Sequence, residues 1–391
     1  MTSKQATVGA EDFELIRQQV RAFVRHDVVP REEEIADSDA IPDDIRRKAA
    51  DMGLFGYAIP AEHGGLGLDI TQDVQLALEF GYTSLSFRSM FGTNNGIAGQ
   101  VLVGFGTEEQ KSRWLEPIAS GQVVASFALT EPEAGSDPSG LTTKAERDGD
   151  DWVITGNKRF ITNAPEADLF VVFARTRPAD ENGTGIAVFL VPADSAGVSV
   201  GPRDKKMGQQ GASTAEVVFD GVRVGHDAVV SGDVDTGFRA AMSVLARGRV
   251  HIAALAIGQA ERALEESVAF ASTNRQGGRP IGENQLVQAM LAEQKTLCMA
   301  GRALVTEAAA AYLSGADRRL GPSAAKLFCT ESAGRVADLA VQVHGGSGYM
   351  RGVTVERIYR DIRLLRLYEG TSEIQKLIVG RQLLRDVGKG S

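Results

Sequence analysis

The residues best placed to do chemistry lie in one run near the end of the chain: Tyr368, Glu369, Gly370, Thr371, Ser372, Glu373, Ile374 and Gln375. Ser372 and Gln375 have the spacing of a helix N-terminal capping box. Ile374, Leu377, Ile378 and Leu384 continue an apolar helical stripe, which predicts a helix from about residue 372. Glu369 then stands just ahead of that helix, beside a glycine that lets backbone approach a neighbour or ligand closely. A carboxylate so placed can act as a general base. A helix dipole and an apolar cover act on such a group in opposite directions. The dipole is worth about 0.3–1 kcal/mol and full desolvation up to roughly 3–5 pKa units, so burial decides. By itself the pattern is also that of a solvated loop glutamate, the commoner fate of this residue.

Composition narrows the setting. With 391 residues, 43% of them hydrophobic, the chain is long and apolar enough for several cores and is expected to be a soluble, folded protein. A net charge of −9 argues against nucleic acid, whose binding depends on basic side chains neutralising phosphates. Cys298 and Cys329 are too few for a disulfide framework and read as buried free thiols, which fits a reducing cytoplasm. The N-terminal residues show no apolar signal-peptide core, and no run approaches the roughly 18 apolar residues of a membrane span. His26, His63, His226, His251 and His344 are scattered without metal-ligand spacing, so no metal site is expected.

Three blocks must position Glu369. Residues 1–121 carry helical periodicity, beginning with Phe13, Ile16, Val20, Phe23 and Val24 on one face. Pro30 is expected to end that first helix, Pro42 and Asp43 to start another, and Thr107 with Gln110 to cap a third. Residues 122–235 change to short β-rich runs, Val123 to Leu129, Trp152 to Ile154, Leu169 to Phe173, Ile186 to Val191 and Val217 to Phe219, separated by turn clusters. This predicts an antiparallel sandwich or barrel. Residues 236–391 return to helices, around 238–273, 284–314, 323–343 and from 372, enough for a four-helix bundle. This α, β, α order lacks the βαβ plan of a dinucleotide-binding fold, and the glycines at 64, 65 and 67 and at 345, 346 and 348 do not sit between a strand and a helix.

Three further stretches, SFALTEPEAGSD from Ser126 to Asp137, RFITNA from Arg159 to Ala164 and QVHGGSGY from Gln342 to Tyr349, combine with the first so that nearly the whole chain resembles the acyl-CoA dehydrogenase family. The resemblance implies FAD held between the β domain and the C-terminal helices. Phe127, Leu129, Thr130 and Ser136 match positions that lay strand backbone and hydroxyls along the flavin, and Phe160 and Thr162 match those that stack on it and hydrogen-bond its ring. Their residue types alone also fit sheet core and turn. Gln342, Gly345 and Gly346 match the place where a second subunit reaches the cofactor, though a helix C-cap explains the glycines as well. Thr371 and Glu373 match residues near the flavin at a helix start. Ser136, Arg249, Tyr368 and Gly370 match substrate-facing positions. The chain departs from the family with Phe at 127 and 160, where Tyr and Trp are frequent. It also has Asn274 and Gly277 where the family's FAD-binding Arg and a Phe usually stand, leaving Arg275 to replace the Arg.

The implied reaction is α,β-dehydrogenation of an acyl-CoA thioester, of the kind used in β-oxidation and in fatty acid or amino acid catabolism. Glu369 takes the α-proton while a β-hydride passes to flavin N5, giving the trans-2-enoyl thioester. The oxyanion donors in the family are the base's own N–H and a ribityl hydroxyl. Relatives with the base on another helix carry it at the position of Gly248, where glycine cannot serve. Arg88 matches the place where glutaryl-CoA dehydrogenases hold a distal carboxylate, a task suited to a guanidinium; structural pairing of Arg88 is the alternative. The family implies electron-transfer flavoprotein as partner and a homotetramer. Rival readings are a flavin oxidase or monooxygenase of the same fold, disfavoured by the retained Glu369, and a helical scaffold without activity.

Overall fold

A computed structural model describes residues 8–178 and 185–389; the start of the N-terminal segment judged free of a signal core lies outside the described residues. The helical first part contains α1 (Ala10–Phe23), α2 (Glu32–Ser38), α3 (Asp43–Asp51), α4 (Ile70–Phe80), α5 (Leu85–Gly92), α6 (Ala98–Phe105) and α7 (Glu108–Ala119). α1 buries Phe13, Val20 and Phe23, the stripe legible in sequence. It stops before Pro30, because a π-turn at Val24–Val28 intervenes. Pro30 opens a 3-10 turn, where its missing N–H costs nothing. Thr107 and Gln110 form the expected capping box at α7, and Asp69 with Gln72 forms another at α4. α5 is buried along its whole length, and its Phe87 and Phe91 meet Phe80 edge-on, the Phe80–Phe91 centroids 5.1 Å apart.

The chain then forms β1 (Ala125–Ala128), β2 (Lys144–Asp148), β3 (Asp151–Thr162), β4 (Leu169–Arg175), β5 (Ile186–Pro192), β6 (Val198–Val200) and β7 (Thr214–Gly225). The pairs β2–β3, β3–β7, β6–β7 and β4–β5 are antiparallel. The expectation of a wholly antiparallel sheet fails at β1, which runs parallel to β4 with Ala125 opposite Leu169. A whole hairpin, β2–β3, lies between these strands in sequence, and that length permits the crossover a parallel pair needs. A single bridge, Lys144 to Arg175, joins the β4 side to the β3 side, so the sheet curls.

One buried ion pair fixes where the end of β1 meets β3. Lys158 Nζ lies 2.7 Å from Glu131 Oε1 and 3.2 Å from the Leu129 carbonyl. The same carboxylate accepts the N–H groups of Thr142 (2.6 Å) and Thr143 (2.9 Å). Alongside, the Arg159 N–H donates to the Thr130 carbonyl at 2.8 Å.

The last part contains α8 (Gly237–Thr273), a short hairpin of β8 (Arg275–Gln276) and β9 (Arg279–Pro280), α9 (Gln285–Ser314), α10 (Leu320–His344), α11 (Thr354–Ile362) and α12 (Ser372–Lys389). α8 packs against α4, α9 and α10. By length and hydropathy α8 is apolar enough to cross a membrane, more than the composition suggested, yet 78% of its apolar window is buried inside the protein. α10 starts earlier than its periodicity implied because Asp317 accepts the N–H groups of Arg319 (2.8 Å), Leu320 (2.9 Å) and Gly321 (2.6 Å). Cys298 and Cys329 are buried free thiols, as expected.

The Glu131–Lys158 pair yields a stability prediction. Burial opposes ionised Glu131, but Lys158 and the hydrogen-bond donors outweigh it and hold the carboxyl down to about 2. Its contribution is therefore present above the unfolded value near 4.5 and lost as pH falls toward 2. Lys158→Met strands the carboxylate and should cost roughly 3–5 kcal/mol in denaturant unfolding. Glu131→Gln should flatten the stability loss between pH 4.5 and 2 in acid titrations followed by circular dichroism.

Candidate active site

Glu369 is held in an unusual backbone. A 3-10 turn at Arg363–Arg366 ends with the Tyr368 N–H on the Leu364 carbonyl at 3.2 Å. Glu369 follows at φ +52°, uncommon for a residue with a Cβ, and Gly370 at φ +92°, which glycine adopts freely. α12 then begins where predicted, but not with the predicted cap. The Thr371 hydroxyl accepts the Ile374 N–H at 3.4 Å, while the Ser372 hydroxyl donates to Glu331 and Gln375 folds back. Gln375 Nε2 donates to the Gly370 carbonyl at 2.9 Å and the Glu369 carbonyl at 3.4 Å. These buried carbonyls need a donor more than the helix end needs a box.

The carboxylate reaches over α8 at Gly248. A Cβ built on Gly248 would lie 2.0 Å from Glu369 Oε2, so only bare backbone leaves room. That Oε2 is buried and has no hydrogen-bond partner. Two cations flank it without bonding it. Burial lowers the pKa of Arg249, which Glu369 partly restores, and its Nε is also buried without a partner. Lys326 on α10 is pulled down to about 8 by burial, with Glu369 opposing. Its Nζ donates to the Tyr368 carbonyl at 2.7 Å and to the Gly370 carbonyl. Burial pushes the Tyr368 hydroxyl up.

Arg88 comes from α5. Its Nε donates to His251 Nε2 at 2.8 Å, and His251 Nδ1 lies 2.7 Å from Asp73 Oδ1. A guanidinium can only donate, so Nε2 accepts, Nδ1 carries the proton to Asp73, and the imidazole is neutral. Burial lowers the His251 pKa in agreement. Asp73 also accepts the Tyr57 hydroxyl at 3.0 Å and pairs with Arg247 at 2.8 Å. Against burial, Arg247 and His251 hold its carboxyl far below the usual range. Thus Arg88 is structurally paired, and its charge also reaches Tyr368.

Strands β1 and β3 bring the proposed flavin residues together. The Phe127 ring sits 4.7 Å from Phe173, and Leu129 is buried. The Thr162 carbonyl accepts the Ser126 hydroxyl at 2.9 Å. Phe160 is 61% exposed at φ +57°, so it is not the ordinary sheet core its type suggested. Ser136 is exposed in the loop after β1. Thr371 caps α12 and Glu373 is exposed on its first turn. Arg275, Gln342, Gly345 and Gly346 instead lie exposed, on the β8–β9 hairpin and at the end of α10. Arg275 donates to the Gly278 carbonyl at 3.0 Å, and Gly345 at φ +57° ends α10. A separate 550 Å³ groove between α7 and β7, lined by Trp114 and His226, contains none of these residues. Among the described residues no group of three His, Cys, Asp or Glu is placed to hold a metal. Lys326, His251 and Asp73 carried no signal in sequence.

The fold agrees with comparisons to known proteins. Residues 10–122, 126–222 and 235–384 match the N-terminal, middle and C-terminal domains of acyl-CoA dehydrogenase. A Bacillus subtilis acyl-CoA dehydrogenase is 37% identical over 370 residues, covering 95% of this chain and 97% of its own. The chain belongs to the acyl-CoA dehydrogenase family. It is an oxidoreductase. Clostridium sporogenes 3-(aryl)acrylate reductase is 37% identical, covering 96% of this chain and 99% of its own. Subunit CarC of the Acetobacterium woodii caffeyl-CoA reductase-Etf complex is 36% identical, covering 96% and 99%. Among solved structures, butyryl-CoA dehydrogenase from Megasphaera elsdenii superposes with a TM-score of 0.91 at 30% identity, covering 95% of this chain and 98% of its own. A Mycobacterium smegmatis glutaryl-CoA dehydrogenase in complex with FADH2 gives 0.90 at 28% identity, covering 97% and 96%.

The bare backbone under the carboxylate is directly testable. Because the nearest atoms to an added Cβ all belong to the end of the Glu369 side chain, Gly248→Ala should fold with a melting temperature within a few degrees of wild type, yet displace Glu369. Acyl-CoA-dependent turnover should fall at least about tenfold, measured by dye-linked assay.

Proposed function

We propose that the protein is an FAD-dependent acyl-CoA dehydrogenase in which Glu369 removes the α-proton of an acyl-CoA thioester to give the trans-2-enoyl-CoA. The observation that carries this reading is the buried Glu369 Oε2, unpartnered beside Lys326, which bonds backbone carbonyls, and Arg249, which makes no hydrogen bond to it. Buried polar atoms are nearly always satisfied, and an exception points to a missing ligand. A base must also be free to take a proton. FAD, when bound, supplies the acceptor for the β-hydrogen as hydride. The chain suits that cofactor: Phe160 offers an exposed ring on a strained backbone, beside the polar edge at Thr162 and Thr130. Phe127, Leu129, Ser136, Thr371 and Glu373 complete the proposed flavin contacts. Arg275, Gln342, Gly345 and Gly346 are proposed to reach the cofactor of a second subunit in a homotetramer, in keeping with their exposure. Arg249, Tyr368, Gly370 and Ser136 are proposed to face the thioester.

Electron-transfer flavoprotein is the proposed acceptor, supported by the relative that works as part of an Etf complex. A cytoplasmic location is proposed from the two free thiols. A second reading, a glutaryl-type substrate, is favoured by one observation. Among the described residues the one hydrogen bond of Arg88 uses Nε, which leaves both Nη groups for a distal carboxylate. Glu369→Gln should fold and retain FAD while turnover falls by about three orders of magnitude or more. A variant with near-normal turnover would remove the assignment. An anaerobic titration with butyryl-, octanoyl- and glutaryl-CoA should bleach the flavin; bleaching by the first two alone excludes the carboxylate role of Arg88.

A further inference from the structure

The side-chain ties to the carbonyls of the base-bearing loop come from α10 and α12. Lys326, 1% exposed on α10, donates from Nζ to the carbonyls of Tyr368 and Gly370, the two residues that bracket Glu369. Gln375, fully buried on α12, donates to the carbonyls of Glu369 and Gly370. Three successive carbonyls are therefore drawn toward α10 and α12. In a planar trans peptide the C=O of one residue and the N–H of the next point in opposite directions. With the Tyr368 carbonyl turned to Lys326, the Glu369 N–H must point away from α10. It has no acceptor among the described residues. A glutamate at φ +52° persists only where its surroundings over-determine it, and these contacts supply that constraint.

We propose that Lys326 is a positioning residue for the reaction: by gripping the carbonyls on both sides of Glu369, it aims the base's own N–H at the thioester oxygen while its carboxylate faces the α-carbon. This rests on Glu369 being the base. Lys326 touches no reacting atom. It acts through the backbone, so the donor is fixed before charge develops, as an effective oxyanion site requires. Were Lys326 only an anchor for α12, its loss would lower stability and leave catalysis per folded enzyme unchanged.

The test uses FAD-loaded Lys326→Met. With the thioester that bleaches the flavin fastest, kcat should fall about 10²–10³-fold, the usual effect of losing one oxyanion donor, with KM within threefold of wild type. Affinity for acetoacetyl-CoA should drop at least tenfold, because its enolate places negative charge on the thioester oxygen. Lys326→Gln, which keeps two N–H donors without the charge, should recover at least tenfold of the lost kcat. If Lys326→Met does not fold, Gln375→Leu takes its place and should show the same split in a smaller measure. Turnover within threefold of wild type, or unchanged acetoacetyl-CoA affinity, in the folded variant overturns the proposal. If Glu369→Gln is inactive while Lys326→Met is normal, only the role of Lys326 falls; if Glu369→Gln is active, the base assignment itself falls.

Discussion

The site depends on keeping one carboxylate oxygen buried and unbonded. A buried acceptor without a partner costs about 1–3 kcal/mol, more when charged. Nearby cations offset such a cost at a distance, since two unit charges 4 Å apart interact by about 4 kcal/mol at an effective dielectric near 20. Here neither of the two cations that sense Glu369 bonds it. Lys326 is committed to carbonyls, and Arg249 makes no hydrogen bond to the carboxylate. Had either closed onto Oε2, the oxygen would be an ion-pair partner and not a free base.

That arrangement demands close backbone packing, which the chain achieves by omitting side chains. Glu369 approaches α8 only because residue 248 has no Cβ. Farther along α8, a Cβ on Gly258 would lie 2.3 Å from the Leu78 carbonyl, and one on Gly81 would lie 2.4 Å from the Leu255 carbonyl. α4 and α8 thus cross nearly backbone to backbone, and that crossing brings Asp73 on α4 within hydrogen-bond reach of His251 on α8. Around these contacts the helices bury alanine, valine and isoleucine, and neighbours this tightly packed shift little.

Sequence made the periodic parts of this plan legible. The four long C-terminal helices, the Thr107 cap and the main strands follow from local patterns that need no distant partner, and Glu369 stood out through its glycine and the helix after it. What failed locally failed because a remote group competed. Ser372 gave up its capping role to Glu331, 41 residues upstream, and Gln375 turned to the loop carbonyls instead of the helix end. The parallel β1–β4 pair rests on a crossover that the strand pattern does not encode. Lys326 reaches a carbonyl 42 residues away and His251 an aspartate 178 away. No spacing rule in a single sequence links such positions. His251 looked like one of five scattered histidines because its meaning lies wholly in what α4 and α5 place beside it.

The tautomer of His251 completes the electrostatic logic. A protonated imidazole would set an N–H against the Arg88 N–H, so the chain Asp73, His251, Arg88 is satisfied only by a neutral ring. Asp73 also pairs with Arg247, so this buried chain sets two guanidinium charges against one carboxylate. Lys326 and Arg249 are the cations that act on Glu369 itself. In the proposed reaction, as Glu369 takes up the α-proton and before hydride has left, negative charge would develop on the thioester oxygen. Lys326 and Arg88 are held by their own hydrogen bonds before that charge develops, which is how a preorganised site lowers a barrier.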